Sequence, residues 1–196
     1  MRIAIDVDGV LRDTYEKIEQ IYQKFFIDEL ELVDEDFQFE IKKPYDTNDY
    51  KNHFMFKTED EFYGFVYEEF AMQIFGHAPS TEMSTFQDLN GIYKNLKEDF
   101  KFILISNQVG KTKPATLFFI SKFGCEFDKI IFYNKLNESE IWNEIDVLVT
   151  ANPDLLNQNN NKTLIKFETT YNSDIESSNT IKSIKELEDK LKELSK

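Results

Sequence analysis

Residues 1–10 read MRIAIDVDGV. A short apolar run rich in β-branched side chains enters two carboxylates, Asp6 and Asp8, and then a glycine, Gly9. Such a run, bounded by charge and a turn residue, reads as a β-strand over residues 2–7. Carboxylates two residues apart on a strand point to the same face, and Gly9 lets the chain break and turn there. An apolar strand that runs straight into two acids is costly unless the acids are paired or bind a cation. Their competing reading is structural, one acid capping and the other turning the chain. Their place at a strand end favours chemistry, because open α/β sheets collect ligands at the carboxyl ends of their strands, near the switch in strand order. Mg²⁺ suits such oxygen ligands. A carboxylate beside Mg²⁺ can attack phosphorus and form an aspartyl-phosphate, while a second carboxylate protonates the leaving oxygen and later activates water.

Four further runs read as strands: residues 101–106 (KFILIS), 129–133 (KIIFY), 145–149 (IDVLV) and 163–167 (TLIKF). Several are almost continuous in Ile, Val, Leu and Phe, as expected of parallel strands covered on both faces. Helical segments fall between most of them. One runs from residue 88 to about residue 99. Another runs from Pro114 to Phe123, with Gly124 as its stop. The last is expected from residue 180 to the end, with Ile181, Ile184, Leu187, Leu191 and Leu194 in one apolar stripe. Strand–helix alternation implies an α/β fold with a five-stranded parallel sheet and helices on both faces. The alternation breaks over residues 14–90, where YEKIEQIYQKFFIDEL (15–30) and EDEFYGFVYEEFAMQIF (59–75) look helical and amphipathic. The expected division is therefore a core domain, 1–13 plus 91–196, and a helical cap, 14–90, inserted after the first strand. The tract NQNNN at 157–161 reads as a polar loop.

Composition bounds the partners. A net charge of −14 leaves no basic footprint for polymeric nucleic acid. A small anion remains possible where a metal ion or local cations offset the field. A single cysteine, Cys125, excludes an intramolecular disulfide framework. No long apolar run reads as a membrane span, and the opening strand reaches charge too early for a signal peptide, so the chain reads as cytoplasmic. With 15% aromatic residues, 19 of them Phe, an aromatic core or pocket is expected.

The residues that follow the other strands complete the candidate site. Ser106 and Asn107, with the backbone N–H groups around them, could hold phosphate oxygens. Lys135, after the third strand, could neutralise the aspartate and a transferring phosphoryl group; Lys111 and Lys113, after the second, compete for that role. The fourth strand runs into TANPD (150–154), a hydroxyl, an amide and one carboxylate, Asp154, with which to complete a metal site.

Asp6-Val7-Asp8-Gly9-Val10 resembles the nucleophile motif of the haloacid dehalogenase (HAD) superfamily. Ser106 after FILI, Lys135 after the third strand and the loop after the fourth extend the resemblance across the Rossmann-like sheet region. Within that superfamily the chain looks most like the 5′(3′)-deoxyribonucleotidase group, from the DVDGV motif, the helical insertion, the aromatic segment PYDTNDYKNHFMF (44–56) and VLVTANPDL (147–155). The resemblance implies Asp6 as nucleophile and Mg²⁺ ligand. It implies Asp8 as general acid/base, with its backbone carbonyl also facing the metal, Ser106 as phosphate ligand and Lys135 as the steadying cation. Phe54 or Phe56 would stack on a base, with packing inside the cap as their competing reading. Two departures stand out. Thr150 and Ala151 replace the two acids that the family carries after its fourth strand, which leaves Asp154 to serve as metal ligand. Ser106-Asn107-Gln108 instead resembles the Thr-Asn-Gln of the histidinol-phosphatase and polynucleotide 3′-phosphatase branches. The expected function is a Mg²⁺-dependent phosphomonoesterase acting on a small phosphate ester, a nucleoside monophosphate first. The alternatives are a non-catalytic HAD-like protein that binds a phosphorylated ligand or a protein partner, and a phosphatase for sugar phosphates.

Overall fold

The structure is a computed structural model that describes residues 1–28, 50–158 and 161–195. The apolar run that opens the chain forms β1, Arg2–Asp6. It lies at the centre of a sheet, paired in parallel with β2, Lys101–Ser106, on one side and with β4, Val147–Thr150, on the other. With β3, Lys129–Phe132, β5, Thr163–Phe167, and β6, Thr180–Ile181, the described residues make a six-stranded parallel sheet in the order β3-β2-β1-β4-β5-β6. The chain builds outward from β1 in one direction and then from β4 in the other. The reversal, and with it the crevice expected of such sheets, falls between the carboxyl ends of β1 and β4.

The period of two along the strands decides what each face buries. Ile3, Ile5 and Val7 join Phe102, Leu104, Val147 and Val149 in the larger core. That core is closed by α3, Thr85–Leu96, α4, Thr112–Ser121, and α7, Leu187–Leu194. Ala4, Ile103, Ile105 and Leu148 face the other way, against Ile141 of α5, Glu138–Glu144, and Leu155 of α6, Pro153–Leu156. Burying each such Ile or Leu contributes about 1.5–3 kcal/mol.

Between β1 and β2 the chain forms a separate helical layer with its own apolar cluster. It opens with α1, Thr14–Ile21, whose first turn is capped by the Asp13 side chain accepting from the Glu16 N–H at 3.1 Å. The helix continues as π-helical turns over Tyr22–Asp28. A second stretch begins with α2, Glu59–Tyr63, capped by Thr58, and passes into π-helical turns over Gly64–Glu69 and Met72–Gly76. The expected helix over 59–75 is therefore interrupted and over-wide. The cause is visible in its sequence, since Phe65, Phe70 and Phe75 are five residues apart. An i→i+5 turn, with the Phe70 N–H donating to the Phe65 carbonyl at 3.0 Å, sets the first two rings 4.6 Å apart. Ile18, Tyr22, Phe62, Phe65 and Phe75 close this cluster, which docks on Ala115 of α4.

Several expectations need correction. A sixth strand, Thr180–Ile181, occupies the start of the stretch expected to be the last helix. Two residues pair with Lys166 and Phe167 before a 3-10 turn at Ile184–Glu186 leads into α7. Ile181, Ile184, Leu187 and Leu191 are still all buried, because strand end, turn and helix lie along the same core. The division at residues 90 and 91 falls inside α3, whose Phe86 and Leu89 belong to the larger core, so the inserted layer ends before Thr85. The segment at Pro44, Tyr45 and Asp46 lies outside the described residues, as do Asn159 and Asn160 of the polar tract.

Candidate active site at the β1–β4 crevice

Register brings the first two site residues together. Ile5 is paired with Val149, so Asp6 and Thr150 follow side by side at the carboxyl ends of adjacent strands, on the same face as Ala4 and Leu148. Thr150 Oγ1 donates to Asp6 Oδ2 at 2.8 Å and accepts from the Asn152 N–H at 3.0 Å. Asp6 is 3% exposed. Burial, and then the negative charge of Asp8, push its carboxyl up to about 7, against the pull of the Thr150 hydroxyl, the Val7 N–H and the charge of Arg12.

After β1 the chain turns at Gly9, which has φ +78°. A Cβ there would strike the hydroxyl of Tyr171 and press on Ala151, so no other residue fits this turn without displacement. The turn sets Asp8 over a group of donors. Its Oδ1 accepts from Arg12 Nε at 3.0 Å, from Arg12 Nη2 at 2.7 Å and from the Thr14 hydroxyl. Its Oδ2 accepts from Gln108 Nε2 at 2.8 Å. Arg12 is entirely buried.

Asp6 and Asp8 open into a cavity of about 230 Å³ between the sheet edge and the helical layer. Asn107, Gln108, Asn152, Pro153 and Asp154 form its floor and rim, and Tyr15, Phe62, Tyr63, Tyr67, Phe75 and Tyr171 supply aromatic walls. Burial raises the phenols of Tyr15, Tyr67 and Tyr171 above their ordinary value, so these three remain neutral. Tyr15 and Tyr171 meet edge to face at 5.2 Å. Lys51 is the one lysine or arginine among the described residues that lines the cavity, and it is ion-paired with Glu59.

The residues expected from sequence divide accordingly. Asp6, Asp8, Asn107 and Asp154 share the cavity. Ser106 does not line it; its hydroxyl is buried and unpartnered, and its position along β2 gives it the face of Leu104 rather than that of Ile105. Lys135 is exposed in the turn after β3 and lies outside the cavity lining. The two competing lysines are also elsewhere, Lys111 paired with Glu68 at 2.8 Å and Lys113 over the ring of Phe132. Phe54 and Phe56 pack against Tyr22 inside the helical layer and do not line the cavity. Sequence reasoning missed Arg12, Thr14 and Lys51, and named Gln108 only as the last member of Ser106-Asn107-Gln108. A signal existed for Arg12, one of only two arginines in the chain and set in an apolar stretch four residues after Asp8.

Among the described residues no three His, Cys, Asp or Glu side chains gather as a metal cluster. Asp6 is nevertheless a desolvated carboxylate whose charge is poorly offset, and a cation would relieve it. Asp8 Oδ1 is taken up by Arg12 and Thr14, while Oδ2 accepts only from Gln108 among the hydrogen bonds to this carboxylate and keeps capacity for a further partner. Asp6 and Asp154 line the same cavity, and such an oxygen-only pair could hold a hard divalent ion that keeps most of its water.

No protein-family model and no curated protein matches the sequence. The fold does match a solved structure, a HAD-superfamily hydrolase of subfamily IA, variant 1, from Geobacter sulfurreducens PCA. The TM-score is 0.58 at 10% identity, over 96% of this chain and 94% of that one. The chain thus has the α/β fold of a HAD hydrolase, along nearly its whole length.

Proposed function

We propose that this protein is a HAD-type phosphatase acting on a small phosphate monoester, with the chemistry centred on Asp6. The observation that carries the reading is a buried carboxylate at the switch point of a HAD-like sheet, facing a cavity under the helical layer, with a second carboxylate two residues on. In the proposed reaction an Asp6 oxygen attacks phosphorus and the ester P–O bond breaks. The leaving oxygen takes a proton delivered through Asp8. Water then cleaves the aspartyl-phosphate, its proton passing back to Asp8, and releases inorganic phosphate. Asp6 and Asp154, with the main-chain carbonyl of Asp8, would hold Mg²⁺, which supplies neutralisation of the phosphoryl charge. The helical layer over the cavity acts as the cap. Its aromatic walls favour a planar leaving group, and a nucleoside monophosphate is the first candidate.

A screen over nucleoside, sugar and aryl phosphates, with and without Mg²⁺, tests this reading. Phosphate release that needs Mg²⁺ and disappears in Asp6→Asn is expected. Turnover that survives Asp6→Asn removes Asp6 from the chemistry.

A second reading, a HAD-like protein that binds a phosphorylated ligand without turning it over, is favoured by Thr150, a neutral hydroxyl where a charged ligand would strengthen the metal site. Calorimetric titration of Mg²⁺ into the native protein and into Thr150→Asp separates the two. Binding and turnover found only in Thr150→Asp would support the second reading.

A further inference from the structure

Among the described residues Arg12 is the largest fully buried side chain that carries a charge, and it does not line the cavity. It cannot touch a ligand there, so any part it plays in chemistry passes through its partners. Its guanidinium spends its donors on four separate parts of the fold. Nε and Nη2 reach Asp8 Oδ1, and Nε also reaches Thr14 Oγ1 at the start of α1, at 3.1 Å. Nη1 donates to the Phe75 carbonyl at 2.6 Å and to Thr116 Oγ1 of α4 at 3.0 Å. The rings of Phe75 and Phe119 lie 5.1 and 5.3 Å from its central carbon, one from the helical layer and one from the core.

This placement coincides with the two chain crossings between core and helical layer. The outgoing chain at Arg12 forms an isolated antiparallel bridge with the returning chain at Ser80, and the Asp13 N–H donates to the Pro79 carbonyl at 3.0 Å. Thr81 Oγ1 donates to the Val10 carbonyl at 2.7 Å. One planar, five-donor group therefore ties the orientation of the Asp8 carboxylate to the seating of Phe75, and so of the layer that roofs the cavity.

We infer that Arg12 is a positioning residue that couples the seating of the helical layer to the aim of Asp8. The inference rests on the phosphatase reading in one respect, the role of Asp8 in proton transfer. It requires that disturbing Arg12 reproduces the loss of Asp8 and does not act as a general loosening of the fold. A lysine cannot replace it, because a point-like ammonium does not span Asp8, the Phe75 carbonyl and Thr116 together.

The test compares two monoesters on the native protein, Asp8→Asn, Arg12→Lys, Arg12→Met and Thr116→Val. p-Nitrophenyl phosphate expels a leaving group that needs little protonation, whereas an alkyl or nucleoside monophosphate needs a proton delivered. We expect Arg12→Lys to lower kcat for the alkyl ester by roughly 10- to 100-fold, less than the roughly 100- to 10,000-fold that a general acid contributes, because the acid is misaimed and not removed. The loss on p-nitrophenyl phosphate should be much smaller and KM little changed, the pattern of Asp8→Asn. Adding Arg12→Met to Asp8→Asn should cost nothing further. Thr116→Val removes one acceptor of Arg12 and leaves Asp8 intact, so it reads the same coupling if the Arg12 variants fail to fold, and should show the same selective loss in weaker form. Equal losses on both esters, or additive losses in the double variant, overturn the role of Arg12 while leaving Asp6-dependent turnover in place. Turnover that is independent of Asp6, or absent from the native protein, overturns the phosphatase reading and this coupling with it.

Discussion

Asp6 carries a cost that the fold meets only in part. Its carboxyl is raised from 3.8 to about 7 by burial and by Asp8. A raised acid holds its proton in the folded state when the unfolded chain has already lost it. The metal-free protein therefore loses stability as pH rises from about 3.8 to about 7 through this group. Asp6→Asn removes the penalty at nearly the same volume. We expect the variant to melt at a higher temperature than the native protein at pH 8 in EDTA, with the gap closing towards pH 4, as read by thermal denaturation. The cations at the site pose a second question at this scale. Lys51 lines the cavity and Lys135 does not. Lys51→Met should raise KM for a phosphate ester about tenfold, the equivalent of 1.4 kcal/mol, whereas Lys135→Met should leave KM unchanged. The reverse outcome in steady-state kinetics would return the phosphate-steadying role to the core.

The strands place the site, and their packing can be tested without reference to chemistry. Leu104 lies in the middle of β2, fully buried against the larger core. Leu104→Ala should cost about 2–5 kcal/mol, seen as a lower urea midpoint with an unchanged slope. At the amino ends of the same strands, Arg2 clasps Asp146, with Nη2–Oδ1 at 2.8 Å and the Arg2 N–H on Oδ2 at 2.8 Å. Hydrogen bonds from Arg2 hold the Asp146 carboxyl down to about 2. Its contribution is present above pH 3.8 and is lost as pH falls towards 2. Both partners are partly exposed, so Asp146→Asn should cost less than about 1 kcal/mol at pH 7 by denaturant titration. Most of this architecture was legible in advance. Five strands could be read because continuous apolar runs signal burial on both faces. The sixth could not, because Thr180 and Ile181 are too short a pair to have a period and become a strand only by docking on β5.

Across the whole molecule the −14 charge opposes any anionic ligand approaching the cavity. Raising ionic strength from about 0.01 to 0.1 M shortens the screening length from about 30 to 10 Å. At saturating Mg²⁺, kcat/KM for a phosphate monoester should therefore rise with added salt, opposite to an enzyme steered by positive charge. A fall, in a stopped-time phosphate assay, would show that the local field at Lys51 outweighs the net charge. The helical layer lets such a field be local, since it lines the cavity beside the acids with Tyr15, Tyr63, Tyr67 and Lys51.

By itself the sequence determined a parallel α/β sheet and an acid pair at the end of its first strand, because period, β-branching and a turn glycine act over a few neighbouring residues. Only the tertiary structure decided what each acid meets. Thr150 reaches Asp6 across 144 residues and Gln108 reaches Asp8 across 100, and the parity that sends Thr150 towards Asp6 keeps Ser106 on the other face. Such meetings depend on strand register and on how one layer seats on another, and no local pattern encodes either.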